Sequence, residues 1–168
     1  MALIKTVRGG SPVFGEDCYF AENATIVGNV SMGNQCSVWF NAIIRGDVHF
    51  IKIGNEVNIQ DGAIVHCTYK KSPTIIGNQV TVGHNAIVHG CTIKDRVLIG
   101  MGAIVLDDCI IESDSIVAAG AVLKMGTQVK SGEIFAGIPA KKVKEGNFKK
   151  QLLALANKYV EYSKWYED

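Results

Sequence analysis

The sequence lacks the features that mark a nucleic-acid-binding, membrane or secreted protein. The formal net charge of its 168 residues is +1 and no basic tract stands out, so we expect no nucleic-acid partner. No apolar run approaches the roughly 20 residues that span a bilayer, so we expect no membrane insertion. The start MALIKTVRGG has no apolar signal-peptide core. These absences predict a cytoplasmic protein.

Paired cysteines and proline are also scarce. The five cysteines are an odd number and form no CxxC motif, which indicates reduced thiols in the cytosol rather than a disulfide framework. Three prolines stand against eighteen glycines, and this excess of glycine indicates many tight corners in the backbone. The length fits a single domain.

An aliphatic residue recurs at every sixth position of the chain. The positions are Met32, Val38, Ile44; Ile53, Ile59, Val65; Ile76, Val82, Val88; and Ile93, Ile99, Val105, Ile111, Val117, Leu123, Val129. A small or branched residue follows four places later, as in Cys36, Ala42 and Ala121. A period of six fits neither a helix nor simple alternation, but it fits short strands separated by corners. Three such strands make one coil of about eighteen residues, and coils stack about 4.8 Å apart.

The repeat predicts a mainly β fold, a single-stranded parallel β-helix with the aliphatic residues inside. We expect it to form a domain over residues 1–140, with coils from about 11 to 135. The segment 141–168 is predicted to be a C-terminal helix that packs on the β-helix or on a neighbouring subunit. Its apolar residues step by three or four, and Gly146-Asn147 is the expected N-cap. The apolar positions are Phe148, Leu152, Leu155, Tyr159, Tyr162 and Tyr166. A β-sandwich of short strands is the alternative fold, which the regular spacing disfavours.

The six-residue phase is interrupted three times. It takes nine residues from Ile44 to Ile53, eleven from Val65 to Ile76, and five from Val88 to Ile93. The second interruption contains a polar segment, His66 to Pro73, that is predicted to leave the coil as a loop. Loops on rigid scaffolds often carry function, so we expect the interruptions to lie near the site.

Two of the four histidines share one position of the repeat. His66 directly follows the inward Val65, and His89 directly follows the inward Val88. The two imidazoles are therefore expected one above the other on successive coils, about 4.8 Å apart. This spacing lets both rings reach one ion at Zn–N distances of about 2.0–2.1 Å.

His84 is out of phase with this pair. It lies two places after Val82, across a corner from His89. In a threefold assembly of prisms a corner of one chain faces the side of the next, so we expect His84 to come from a neighbouring subunit. Three protein ligands with one solvent position form the arrangement of catalytic zinc sites. A surface aromatic stack and a single catalytic base remain alternative interpretations of these histidines.

Five further polar residues lie along the same strip of the predicted solenoid. They are Arg45, Asp47, Asn58, Gln60 and Asp61. Arg45 shares the register of the histidine pair, and Asp61 shares that of His84. A carboxylate beside a metal site can orient a ligand imidazole. An Arg45–Asp47 pair can instead be a salt bridge that locks two subunits together.

Two other potential ligands receive little weight. His49 stands alone and is interpreted as a surface residue. Cys67 adjoins His66, but successive side chains of a strand face opposite ways, so its thiol is expected to point away.

These residues resemble a known family, the γ-class carbonic anhydrases and their bacterial homologues. The shared motifs are Arg45-Gly46-Asp47, Asn58-Ile59-Gln60-Asp61-Gly62, Val65-His66, Val82-Gly83-His84, His89-Gly90-Cys91 and the exit Gly137-Ile138-Pro139-Ala140-Lys141. Together with the repeat, the resemblance covers nearly the whole chain. It implies left-handed coils and a homotrimer with one zinc, or iron or cobalt, at each subunit interface.

The resemblance also implies a role for each site residue. The implied metal ligands are His66, His84 and His89. Gln60 resembles the residue that hydrogen-bonds the metal-bound hydroxide. Arg45, Asp47 and Asp61 resemble the network that holds the interface, and Asn58 lies in the same pocket wall. The implied reaction is the reversible hydration of CO₂ to bicarbonate.

The chain departs from active family members at two places. Val48 stands where they carry a glutamate, and the segment Cys67-Thr68-Tyr69-Lys70-Lys71 replaces an acidic loop that shuttles protons. We therefore expect weak or latent carbonic anhydrase activity. The alternatives are an acyl-CoA-dependent acyltransferase or thioesterase, since these enzymes share the repeat and the exit, and a non-catalytic metal-stabilised scaffold.

Overall fold

The computed structural model describes residues 1–166 as a parallel β-solenoid of about seven turns followed by one helix. The strands, in chain order, are β1 (Leu3–Lys5), β2 (Val13–Phe14), β3 (Tyr19–Phe20), β4 (Thr25–Met32), β5 (Ser37–Val38), β6 (Ile43–Ile53), β7 (Asn58–Ile59), β8 (Ile64–His66), β9 (Thr74–Ile76), β10 (Thr81–Val82), β11 (Ile87–His89), β12 (Thr92–Ile93), β13 (Leu98–Ile99), β14 (Ile104–Val105), β15 (Ile110–Ile111), β16 (Ile116–Val117), β17 (Val122–Leu123), β18 (Gln128–Val129), β19 (Glu133–Gly137) and β20 (Ala140–Glu145). Helix α1 spans Lys149–Ser163, and a 3₁₀ turn spans Lys164–Tyr166. The predicted mainly β solenoid with a C-terminal helix is confirmed.

Three faces, each built by stacking one strand per turn, enclose the core. The first face joins β6, β8, β11, β14 and β17, and the second runs from the end of β6 through β9, β12, β15 and β18. The third face joins β3, β5, β7, β10, β13, β16 and β19. Neighbouring strands pair in parallel register, as Val65 with Val88 and Ile59 with Val82.

The core consists of the residues that the repeat identified. Every aliphatic position of the six-residue series is buried, with at most 5% of its surface exposed. The small residues four places later, such as Ala42 and Ala121, are fully buried at the corners. Large inward side chains on the faces therefore alternate with small ones at the corners, which lets each coil close tightly on the next.

The corner between the second and third faces explains why glycine so often follows the aliphatic residue. A Cβ on Gly54 would lie 2.7 Å from backbone atoms of Gly77 in the next coil, so only glycine fits there. The next residue is Asn or Asp in four successive coils, and its side chain accepts a hydrogen bond from the backbone of the coil below. The Asn34 and Asn55 N–H groups donate to Oδ1 of Asn55 and Asn78, at 2.8 and 2.9 Å.

All three interruptions of the repeat lie at the corner between the first and second faces. Strand β6 runs through the first, where residues 47–50 stand opposite the single Asn29 of β4. The second is the loop of residues 67–73 between β8 and β9, and the third is the short link between β11 and β12. The number of residues at this corner therefore differs from that of a regular coil, and its side chains lie outside the six-residue pattern.

The end of the chain differs from the prediction in two respects. Residues 141–145, expected to belong to the helical segment, lie in β20, which pairs antiparallel with β19. The helix then starts at Lys149, and its N-cap residue Phe148 directly follows the expected Gly146-Asn147 cap. The side chain of Asn147 still contributes, because its Oδ1 accepts the Lys149 N–H at 3.3 Å. At the other end, β1 already pairs with β4, so coil-like pairing starts before residue 11.

Helix α1 packs on the third face of the solenoid, against β5 and β7. Leu152 and Ala156 are buried, and the Tyr159 and Trp39 rings meet edge to face with centroids 5.7 Å apart. Tyr166, at the end of the predicted apolar stripe, is half exposed although its ring lies 5.5 Å from Trp39. Among residues 1–166 no helix is long and apolar enough to cross a membrane.

Two adjacent isoleucines of β15 test the inward register. Ile111 is fully buried and Ile110 is 37% exposed. Ile111→Ala should lower the free energy of unfolding by about 2–5 kcal/mol because it leaves a cavity in the core. The control Ile110→Ala should cost about 1 kcal/mol or less. Urea unfolding of both variants measures the difference, and equal losses would contradict the register.

Candidate metal centre

The residues predicted for the site fall into two groups at the two ends of the first face. The paired-histidine half-site lies at the corner after β8 and β11 and consists of Arg45, Asp47, His66 and His89. The His84 half-site lies at the corner before β8 and β11 and consists of Asn58, Gln60, Asp61 and His84. Strand β11 separates His84 from His89 within one chain. One chain therefore carries two separate halves.

The paired histidines stand in the predicted register. His66 and His89 are direct partners in the parallel pairing of β8 with β11. Their ring centroids are 5.0 Å apart, and His66 Nδ1 lies 3.0 Å from His89 Nε2. Two nitrogens bound to one tetrahedral zinc at about 2.0–2.1 Å lie about 3.3 Å apart. The two nitrogens that face each other are thus close to the separation that a shared ion requires.

The other nitrogen of each ring meets a carboxylate. His66 Nε2 lies 3.1 Å from Asp47 Oδ1, and His89 Nδ1 lies 2.5 Å from Asp107 Oδ1. A ring N–H that donates to a carboxylate leaves the opposite nitrogen free as a metal ligand. The donor set therefore fits a divalent transition metal such as zinc.

The environment lowers the pKa of both carboxylic acids and that of the partly buried His66 imidazole. Burial raises the pKa of Asp47, but hydrogen bonds from Arg45 and His66 outweigh burial and lower it below its usual value. Burial likewise raises the pKa of Asp107, and hydrogen bonds from its hydroxyl and imidazole partners bring it below its usual value. Burial lowers the pKa of His66 against the opposing hydrogen bond to Asp47. Neutral imidazole is the form that binds metals.

Arg45 lies on the exposed side of this half-site. Its Nη1 donates to Asp47 Oδ2 at 2.7 Å, and 46% of its side chain is exposed. The sequence suggested an Arg45–Asp47 salt bridge between subunits, whereas the structure forms this pair within one chain, because the two side chains lie two residues apart on β6. Several guanidinium N–H groups remain free for a second partner.

The His84 half-site is also built from coil register. Asp61 stands one coil below His84, and His84 Nδ1 lies 2.8 Å from Asp61 Oδ2. Gln60 and Asn58 are nearly fully buried beneath α1, and Gln60 Nε2 donates to Asn58 Oδ1 at 3.0 Å. About 41% of the His84 side chain is exposed, so its outer nitrogen is accessible to a neighbouring molecule.

Within residues 1–166 of a single chain, no three His, Cys, Asp or Glu side chains are grouped to hold a metal. Cys67 does not join the histidines, because it is buried and its Sγ donates to the His49 carbonyl at 3.5 Å. Burial also raises the pKa of the Cys67 thiol, which keeps it protonated. His49 is partly exposed, and its Nδ1 accepts the Phe50 N–H at 2.8 Å.

Two residues of the site were missed in the sequence. Asp107 holds His89, and the Thr68 hydroxyl in turn donates to Asp107. Asp107 lies two places after the inward Val105, one coil above His89, at the same corner. The register continued for one more coil places Leu106 above His89, so the repeat alone did not identify this carboxylate.

The fold belongs to the class of hexapeptide-repeat proteins. A family model described as bacterial transferase hexapeptide (six repeats) matches residues 90–124. A crystal structure of a putative acetyltransferase from Bacillus cereus has a TM-score of 0.94 and 35% sequence identity, with 98% of this chain and 96% of that chain covered.

The sequence relatives define the family within this class. A carbonic anhydrase from Geobacillus kaustophilus is 36% identical over 98% of this chain and 91% of its own length. The mitochondrial gamma carbonic anhydrase 2 of Arabidopsis thaliana is 41% identical over 78% of this chain, which spans about half of that longer protein, 49%. The chain belongs to the γ-carbonic-anhydrase-like family of hexapeptide-repeat proteins.

The lowered pKa of His66 predicts a pH dependence of the metal-free protein. The unfolded chain, with a histidine pKa of about 6.5, binds more protons than the fold below that pH, so stability should fall as the pH drops from 7.5 to 5.5. His66→Asn should reduce this fall, whereas Ile110→Ala, which removes no titratable group, should leave it unchanged. Urea midpoints measured in chelator across this range provide the test. An unaltered pH dependence in His66→Asn would show that the imidazole is not held neutral by the fold.

Proposed function

We propose that the protein is a trimeric, metal-dependent carbonic anhydrase with weak turnover. The observation that carries this proposal is the paired-histidine geometry, in which two facing nitrogens lie 3.0 Å apart and each outer nitrogen meets a carboxylate. Such carboxylate–imidazole pairs are typical of metal ligands. The third ligand is His84 of an adjoining subunit, and zinc, iron or cobalt fits the imidazole donors.

The positions of the two half-sites support a trimer. They stand at opposite ends of the first face, so each half-site can join the other half-site of a neighbouring chain with the first faces turned toward a common axis. Three chains joined in this way form a closed ring with three shared sites. The outward column of this face is aliphatic and partly exposed, and consists of Ile43, Ile64, Ile87, Ile104 and Val122. A contiguous apolar column of this kind favours an interface between copies.

The corresponding column of the second face is mixed and less suited to burial. Its outward residues are Lys52, Ile75, Thr92, Ile110 and Gln128. The third face is partly covered by α1 of the same chain. The first face is therefore the one that assembly would bury.

When bound, the metal would supply hydroxide from water near pH 7 for attack on CO₂. Asp47, which lies 3.1 Å from His66 Nε2, can fix the orientation of that imidazole. Gln60, whose amide is held by Asn58, lines the cavity beside His84 and can orient the reacting molecule by a hydrogen bond. The exposed Arg45 guanidinium can pair with the Asp61 carboxylate when two half-sites meet, which would stabilise the interface.

Removal of the proton released by CO₂ hydration is the step that limits turnover in this protein. The loop of residues 67–73 carries no carboxylate, and Tyr69 is half exposed with Arg8 and Lys70 over its ring at 5.7 and 5.2 Å. No acid in this loop can relay the proton, so Tyr69, a histidine or buffer must accept it. Turnover should therefore depend strongly on buffer concentration.

A second candidate function is acyl transfer or thioester hydrolysis. It rests on a cavity of about 390 Å³ between the third face and α1, lined by His84, Gln60 and the apolar Leu98, Met101 and Leu155. That volume suits a small organic ligand rather than CO₂ alone. Turnover of acetyl-CoA that survives metal removal would favour this function over CO₂ hydration.

Subunit complementation tests the proposed function. We expect His84→Ala and the double variant His66→Ala/His89→Ala each to lose zinc and CO₂ hydration. Co-expressed, they should form mixed trimers with one intact site, because one chain supplies the histidine pair and its neighbour supplies His84. Metal analysis and stopped-flow CO₂ hydration measure the recovery, with His49→Ala as the control that keeps its metal. No recovery in mixed trimers would exclude a shared site, and zinc without hydration would leave a metal-stabilised scaffold.

Two isoleucines with the same exposure test which face forms the interface. Ile64 on the first face and Ile75 on the second are each 37% exposed. Ile64→Glu should break the trimer because it buries a charge among apolar side chains. Ile75→Glu should stay trimeric. Sedimentation of the metal-free proteins gives the masses, and a trimeric Ile64→Glu would refute the assignment of the first face.

A further inference from the structure

The loop after His66 is tied to the coil above it near both of its ends, while Tyr69, Lys70 and Lys71 between them are exposed. The Thr68 N–H donates to the Ser72 carbonyl at 3.0 Å, and the Ser72 hydroxyl donates to Asp108 Oδ1 at 2.7 Å. The Thr68 hydroxyl donates to Asp107 Oδ2. Two neighbouring aspartates in the link after β14 therefore anchor one loop.

Asp107 differs from Asp108 in its burial and in its hydrogen-bond partners. Only 8% of Asp107 is exposed, and its two oxygens have different partners, His89 Nδ1 on Oδ1 and the Thr68 hydroxyl on Oδ2. Asp108 is exposed, and its side chain accepts a hydrogen bond from the Ser72 hydroxyl. The Asp107 carboxylate therefore links the loop that follows one histidine to the ring of the other.

The backbone around His89 leaves room for this carboxylate. Gly90 has φ +55°, and a Cβ there would lie 2.4 Å from Asp107 Oδ1. A side chain at position 90 would thus displace the carboxylate from the imidazole. The Gly90 N–H is held separately, by the Thr74 hydroxyl at 2.9 Å. The absence of a side chain at Gly90 therefore permits the Asp107–His89 contact.

We propose that Asp107, held by Thr68, is a positioning residue that fixes the tautomer and orientation of His89, so that the loop after His66 acts as a brace for the second metal ligand. The proposal rests on the proposed metal site. It gives this loop a role in metal binding in place of proton transfer. A carboxylate that orients a ligand imidazole typically strengthens metal binding by about 10–100-fold.

The test compares two neighbouring aspartates. We expect Asp107→Asn to weaken zinc binding by about 10–100-fold at an unchanged oligomeric mass. The control Asp108→Asn keeps an acceptor for Ser72 and should bind zinc as the parent does. Thr68→Val, which removes the hydroxyl without changing the side-chain shape, should give a smaller loss in the same direction. Competition with a chromophoric chelator measures the affinities.

The visible spectrum of the cobalt-loaded proteins gives a readout that a purely structural role would not change. Asp107→Asn and Thr68→Val should shift the cobalt ligand-field bands, whereas Asp108→Asn should not. Zinc affinities and spectra of both variants equal to the parent's would overturn the inference while leaving the proposed function intact. A parent protein that takes up no zinc would overturn both. If Asp107→Asn does not fold, Thr68→Val alone decides, with unchanged affinity and spectrum as the contrary result.

Discussion

The structure depends on the parallel register in which each coil hydrogen-bonds to the next. A strand shifted by one residue would turn every aliphatic side chain outward, so burial of the core fixes the register strongly. Once Val65 lies inside above Ile44 and below Val88, the residues that follow them must share one outer position. The close approach of His66 and His89 therefore needs no special loop. It follows from the pairing that stabilises the core.

The charge of the paired-histidine half-site complements that geometry. Two ionised carboxylates, Asp47 and Asp107, flank two imidazoles, while Arg45 supplies a single positive charge. Burial lowers the pKa of His66, which disfavours a positive charge on that ring, and the two carboxylates outnumber the single guanidinium. A cation bound between the facing nitrogens would be stabilised by both carboxylates through the rings. Site geometry and electrostatics thus favour the same kind of ligand.

The repeat allowed the fold and the histidine register to be predicted, because a period of six leaves few ways to place Val65 and Val88. Residues outside the six-residue pattern were harder to place from the sequence. Asp107 is followed by Asp108 at an ordinary corner, and nothing in their types tells which one turns toward His89. The lysine-rich segment 140–145 carries no strand pattern and becomes β20 only because β19 offers a partner. The domain division at 140 and the roles of the site residues stay predictions.

The hairpin of β19 and β20 has a consequence for growth of the solenoid. Every strand added along the third face runs parallel to its neighbour, until β20 reverses direction and presents an exposed edge with Lys141, Lys142 and Lys144. A further parallel coil would therefore meet a reversed neighbour at this edge, and like charges there repel a second copy approaching end to end. The antiparallel strand thus acts as a cap on the parallel ladder at this end of the solenoid.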